Sequence, residues 1–173
     1  VIRQAGDELA KLNAPDGRFA VMGNHERHLG VRRVAETLRK NGITVLQNEM
    51  ETVRRGPDGL VIAGLDEQYP DNWLHMLRKA EPDAPVFLLA HVPDDAVESR
   101  NCFALAFSGH THGGQIVLPL YGPVKIYSDY GIVRGFSKHN GRKVYTTSGL
   151  GTSLLRIRYG VPPEIVLMTV KRK

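Results

Sequence analysis

Two histidines one residue apart, His110 and His112, lie within Ser108-Gly109-His110-Thr111-His112-Gly113-Gly114-Gln115. Side chains two apart in extended backbone share a face, so both imidazoles can converge on one point. The flanking glycines let the backbone turn sharply and approach a ligand closely. Paired imidazoles at a strand end suit a borderline divalent metal such as Zn, Mn, Fe or Ni. Taken alone, the pair reads equally well as satisfied loop or core histidines. Two further clusters tilt the balance, Gly23-Asn24-His25-Glu26 and the single His91.

Each cluster follows a short apolar run of the kind that forms a buried strand: residues 18–22, 86–90 and 103–107. In open α/β sheets, ligands bind beyond the carboxyl ends of the strands. Three such coincidences are hard to explain as core histidines, and together they point to a metal site.

The elements that must position these clusters follow from periodicity. Ile2, Ala5, Leu9 and Leu12 predict an opening helix, ended by Asn13-Ala14-Pro15-Asp16-Gly17. Val31, Val34, Ala35 and Leu38 form the stripe of an amphipathic helix that closes near Asn41-Gly42. A short strand is expected over 43–46, and a hairpin over 50–63 about Gly56-Pro57-Asp58-Gly59. A helix is expected over 72–80. After the two-histidine loop the pattern turns to strand, over 115–118, 124–127, 154–158 and 165–170, with a hairpin about Asn140-Gly141. Strand-helix alternation followed by strands predicts an α/β sandwich in one domain, residues 1–173.

Composition narrows the class. A chain of 173 residues can bury a sizeable core, and no apolar run approaches the ~18–20 residues needed to span a bilayer. The single Cys102 excludes an internal disulfide. The net charge of +5 comes from scattered basic residues interleaved with acids, apart from Lys171-Arg172-Lys173. That pattern argues against nucleic acid as the main partner. It reads as a solvated surface compatible with anionic substrates or lipid headgroups.

Read together, Gly23-Asn24-His25-Glu26, His91 and Gly109-His110-Thr111-His112 resemble the last three motif blocks of the calcineurin-like metallophosphoesterases. Gly113-Gly114-Gln115-Ile116, Ser148-Gly149-Leu150-Gly151-Thr152-Ser153 and Tyr159-Gly160-Val161-Pro162-Pro163-Glu164-Ile165 resemble the bacterial branch, whose members often carry an N-terminal membrane anchor or export signal. The resemblance runs through effectively the whole chain. It implies two packed β-sheets flanked by helices in αββα layers, with two divalent metal ions (Mn, Fe, Zn or Ni) between them. By the same resemblance Asn24, His91 and His110 hold the second metal and His112 belongs to the first. His25 is then no ligand; it stands near the phosphoryl oxygens and the leaving group, stabilising charge or donating a proton. The implied partner is a phosphate ester, with a lipid-linked phosphate and a membrane surface both compatible.

The departure from the family lies at the start. Its first two blocks, an Asp-x-His and a Gly-Asp, stand upstream of the Asn-His block, and only 23 residues precede Asn24. Gly6-Asp7 falls inside a helical pattern with no second acid at Leu9 or Ala10, and reads as a decoy. The chain therefore resembles the C-terminal two-thirds of the domain without its N-terminal strands. Any anchor is expected upstream of residue 1, with a cytoplasmic or membrane-associated location. A phosphodiesterase, pyrophosphohydrolase or phosphatase activity is implied, impaired in these residues alone. The competing reading is a non-catalytic metal-binding or scaffold module. Among the remaining residues, His28, His75 and His139 read as surface or structural, and Arg27 as a surface ion pair. Asp66 reads as a cap or as a contact to a second-layer group or the substrate, and Trp73 and Tyr69 as packing residues or an apolar rim.

Overall fold

A computed structural model describes residues 2–67, 73–80, 84–99 and 103–171. Tyr69, Cys102, the start of the expected helix at Asn72 and the last two basic residues lie outside the described residues. In chain order the elements are α1 (Ile2–Ala10), β1 (Phe19–Ala20), α2 (Asn24–Leu29), α3 (Val31–Lys40), β2 (Thr44–Val45), β3 (Glu49–Arg55) and β4 (Asp58–Gly64). There follow α4 (Trp73–Leu77), β5 (Val86–Leu89), α5 (Pro93–Glu98), β6 (Leu105–Ser108), β7 (Val117–Leu118), β8 (Gly122–Pro123), β9 (Gly135–His139) and β10 (Arg142–Thr146).

A mixed sheet of six strands, ordered β3-β4-β5-β6-β10-β9, forms the centre of this α/β fold. The inner pairs β4–β5, β5–β6 and β6–β10 are parallel, and the outer hairpins β3–β4 and β9–β10 are antiparallel. Alternation along the strands builds one buried face. Val61, Ala63, Val86, Leu88, Ala106 and Val144 point into it, joined by Trp73, Met76 and Leu77 of α4 and Ala96 of α5. Trp73 is therefore a core residue. A second core joins Met22, Val34, Ala35 and Val45, placing the apolar stripe of α3 over the small parallel sheet β1–β2. The two sheets approach at Gly64, where an added Cβ would lie 2.3 Å from Leu46 Cβ.

Several expectations need correction. Residues 124–127 form no strand; β8 is Gly122–Pro123, which pairs with β7. Residues 154–158 form no strand either, because Leu154 takes φ +60° and its neighbours' carbonyls bond side chains instead of a ladder. Residues 165–170 keep an apolar pattern but no regular structure, with Ile165 and Leu167 83% and 98% exposed. A strand exists only as part of a ladder, and among the described residues no strand pairs with this segment. The hairpin loop is shorter than expected, since Arg55 already faces Asp58 across Gly56-Pro57. Two short helices, α2 and α5, add to the expected elements. In α5, Pro93 opens the helix and Asp94 and Asp95 occupy its first turn. In α2, the Gly23 N–H donates to Glu26 Oε2 at 2.7 Å, half of a capping box.

Candidate metal centre

Parallel pairing sets the site's frame. Leu89 of β5 faces Phe107 of β6, so both strands exit side by side. The ladder continues past them: the Ala90 N–H donates to Phe107 O at 3.0 Å and the Gly109 N–H to His91 O at 3.0 Å. His91 and His110 thus leave adjacent strand ends. Asn24 reaches the same place from the first turn of α2. His91 Nε2 lies 2.9 Å from Asn24 Oδ1 and 3.1 Å from His110 Nδ1. The two rings meet edge to face at 5.0 Å between centroids. Gly23 makes this possible, because a Cβ there would sit 2.5 Å from His91 Cε1.

The electrostatics keep these rings neutral. Burial pushes His91 down to about 4, helped by His110, His112 and His25 facing it. Burial also lowers His110 and His112, so each presents a lone pair at neutral pH. The Asn24 carboxamide oxygen can only accept a hydrogen bond. Asn24 Oδ1, His91 Nε2 and His110 Nδ1 thus converge on one place. Three converging donor atoms of this kind suit a borderline divalent cation with N and O ligands. Among the described residues no third His, Cys, Asp or Glu joins His91 and His110 in a group able to hold an ion. The set is therefore two imidazoles and an amide.

The other candidates are placed as follows. His112 is half-buried near this trio, and its Nδ1 lies 3.2 Å from Gly151 O. The expectation that extended backbone aligns it with His110 is incorrect: both adopt left-handed φ, +65° and +51°, and His112 opens a single 3₁₀ turn. Positive φ in two non-glycine residues is strain of the kind that collects at functional sites. His25 is exposed, with Nε2 3.3 Å from Ser153 Oγ. Asp7 is exposed on α1. Arg27 donates to the Glu67 carbonyl at 3.1 Å, as a surface contact. Asp66 is 6% exposed and accepts from Gln47 Nε2 at 3.2 Å. His28 and His75 are exposed on helices, and His139 stacks edge-on to Tyr130.

Sequence reasoning missed the residues that hold the site's rim. Gln115 Nε2 donates to the Ser153 and Leu155 carbonyls, both at 3.0 Å, and its Oε1 accepts from the Ser153 N–H at 2.6 Å. Gln115 so fixes the hydroxyl that meets His25. Asp94 accepts from Ser128 Oγ and from the Asp129 N–H at 2.5 and 2.6 Å. It anchors the loop whose Tyr127 ring lies 6.0 Å from that of His110. The available signal was local: a Gln directly after Gly113-Gly114, and a carboxylate three residues after His91.

Known proteins are similar to this chain. The chain is 33% identical over 175 residues to an uncharacterized metallophosphoesterase of Aquifex aeolicus, covering 95% of this chain. It is 35% identical over 170 residues to the metallophosphoesterase YkuE of Bacillus subtilis, covering 94%. The phosphodiesterase YaeI of Escherichia coli is 33% identical over 170 residues, again covering 94%. These relatives are metallophosphoesterases or phosphodiesterases by name, and the similarity to them runs over 94–95% of this chain. The chain spans 65%, 59% and 61% of the lengths of these three relatives. A Danio rerio relative, 30% identical, is named as a transmembrane protein with a metallophosphoesterase domain. Among the described residues no helix is long and apolar enough to cross a membrane. No protein-family model and no solved structure matches the chain.

Proposed function

We propose that this chain is a metallophosphoesterase domain serving metal-dependent hydrolysis of phosphate esters, with Asn24, His91 and His110 holding one divalent cation and His112 contributing to a second. The observation that carries the proposal is the convergence of Asn24 Oδ1, His91 Nε2 and His110 Nδ1 within 2.9 and 3.1 Å. When bound, divalent cations supply charge neutralisation at the phosphoryl oxygens and acidify a water. The chain's own residues do the rest. His25, at the exposed rim, hydrogen-bonds a phosphoryl oxygen or gives a proton to the leaving-group oxygen. Ser153 and Gln115 hold its ring in place. Neutral ligands leave the site net positive toward a phosphate anion.

The segment that touches His25 also carries Leu150, Leu154 and Leu155, which are 64%, 90% and 57% exposed. These side chains favour an ester with an apolar leaving group, a lipid-linked phosphate included, over a small polar one. The neutral donor set supports one further part of the proposal: the 173 residues alone turn over slowly, because no carboxylate among the described residues joins His91 and His110 in a group that would hold a cation. The test is a chromogenic phosphodiester assay with Mn, comparing this chain with one extended upstream. Turnover that rises with the extension, needs Mn and is lost in His91→Ala is expected. Metal-independent turnover, or turnover unaffected by His91→Ala, contradicts the proposal.

A further inference from the structure

We infer that Arg158 is a positioning residue for His112, fixing both its ring tautomer and its strained backbone. The inference rests on the reading of His112 as a ligand only for its effect on metal affinity. The Arg158 guanidinium bonds backbone carbonyls: Nε donates to Gly151 O at 3.0 Å and Nη1 to His112 O at 3.2 Å. Nη2 donates to Ser148 O at 2.6 Å and Gly149 O at 3.1 Å, and also to Gly151 O. The Arg158 backbone is itself fixed, since the Tyr159 N–H donates to Gln115 O at 3.0 Å and the Val117 N–H to Tyr159 O at 2.8 Å.

The consequence for His112 is specific. Its Nδ1 lies 3.2 Å from Gly151 O, a carbonyl that can only accept. The proton must therefore sit on Nδ1, which leaves the Nε2 lone pair as the donor for a metal. A backbone carbonyl orienting a ligand histidine in this way is a recurrent outer-layer device. Here the carbonyl belongs to a loop with no regular structure, and Arg158 is what holds it. Through Nη1 the same guanidinium ties down the carbonyl of His112, whose φ is +51°. Its rigid planar fork reaches carbonyls on both segments at once, and a lysine ammonium lacks that span.

The test uses nitrogen-detected NMR of the His112 ring in the protein stripped of metal, comparing wild type, Arg158→Ala and Arg158→Lys, followed by Zn titration of each. The wild type is expected to show Nδ1–H alone. Both variants should shift His112 toward Nε2–H and raise the Zn concentration at which the His112 ring responds about ten- to hundredfold, with Lys recovering little. A folded Arg158→Ala protein that keeps the Nδ1–H form and the wild-type affinity overturns the inference. Unfolding of both variants overturns it too, by making Arg158 a general stabiliser. The tautomer separates this inference from the metal reading: a shift in Arg158→Ala with no Zn binding by wild type would sink the metal site and leave the positioning role standing.

Discussion

Replacing Gly23 by Ala drives a methyl group into the His91 ring. The backbone tolerates the change, since Gly23 has φ −118° and ψ −176°, ordinary extended values. The whole penalty is therefore steric. The new Cβ would meet His91 Cε1, Nδ1 and Cγ at 2.5, 2.6 and 2.8 Å. Ordinary carbon contacts begin at about 3.5 Å, so the ring must retreat by about 1 Å. His91 Nε2 then leaves the 2.9 Å and 3.1 Å contacts that join it to Asn24 and His110. Overpacking of this kind costs about 1–3 kcal/mol, and Tm falls by about 2–4 °C for each kcal/mol in a chain of this size. Zn affinity should fall by at least about tenfold, as misplaced ligands do. Calorimetric titration with Zn, paired with thermal unfolding, reads both effects. A Gly23→Ala protein with wild-type Tm and Zn affinity would show that His91 has room the geometry denies it.

His110→Ala should lower both bound metal and turnover, whereas His25→Ala should lower turnover and leave metal content intact; elemental analysis separates the roles, and equal metal loss in both refutes the assignment of His25. Asp95 is pushed up to about 6 by burial and by Glu67, Glu98 and Asp94. Between its ordinary 3.8 and about 6 the folded form holds a proton that the unfolded form has lost, so stability falls as pH rises through that window and stays lowest above it. Asp95→Asn should remove this slope and raise stability at pH 7.5 by about 1 kcal/mol, discounted for partial exposure; urea titrations at pH 4 and 7.5 check it, and an unchanged slope refutes it. Leu88 is 0% exposed in the main core, and Leu88→Ala should cost about 2–5 kcal/mol; a urea midpoint within error of wild type would contradict that packing.

The legible parts of the fold were those fixed by local pattern. The Val31–Leu38 stripe, the apolar runs at β5 and β6, and the Asn140-Gly141 turn each determine their own conformation, and each appears where the pattern places it. The polar residues at the strand exits were legible for the same reason. What failed depended on partners. Residues 165–170 have strand composition, but a strand forms only against another. The spacing of His110 and His112 suggested extended backbone, and the glycine-rich turn overrode it with two left-handed residues. Arg158 could not be read at all, because the carbonyls it binds carry no side-chain code. Gln115 and Ser153 stood within stretches noted for their resemblance, yet their link spans 38 residues of chain, a separation no local pattern encodes.

The central claim is that Asn24, His91 and His110 act as one cation site. The direct measurement is a Zn titration of the protein followed by NMR of the three side chains together. The expected result is that the Asn24 carboxamide and the rings of His91 and His110 shift in step, with one dissociation constant, and that His110→Ala abolishes the response at the other two. Zn that binds without moving these resonances, or that moves them at separate concentrations, would contradict it.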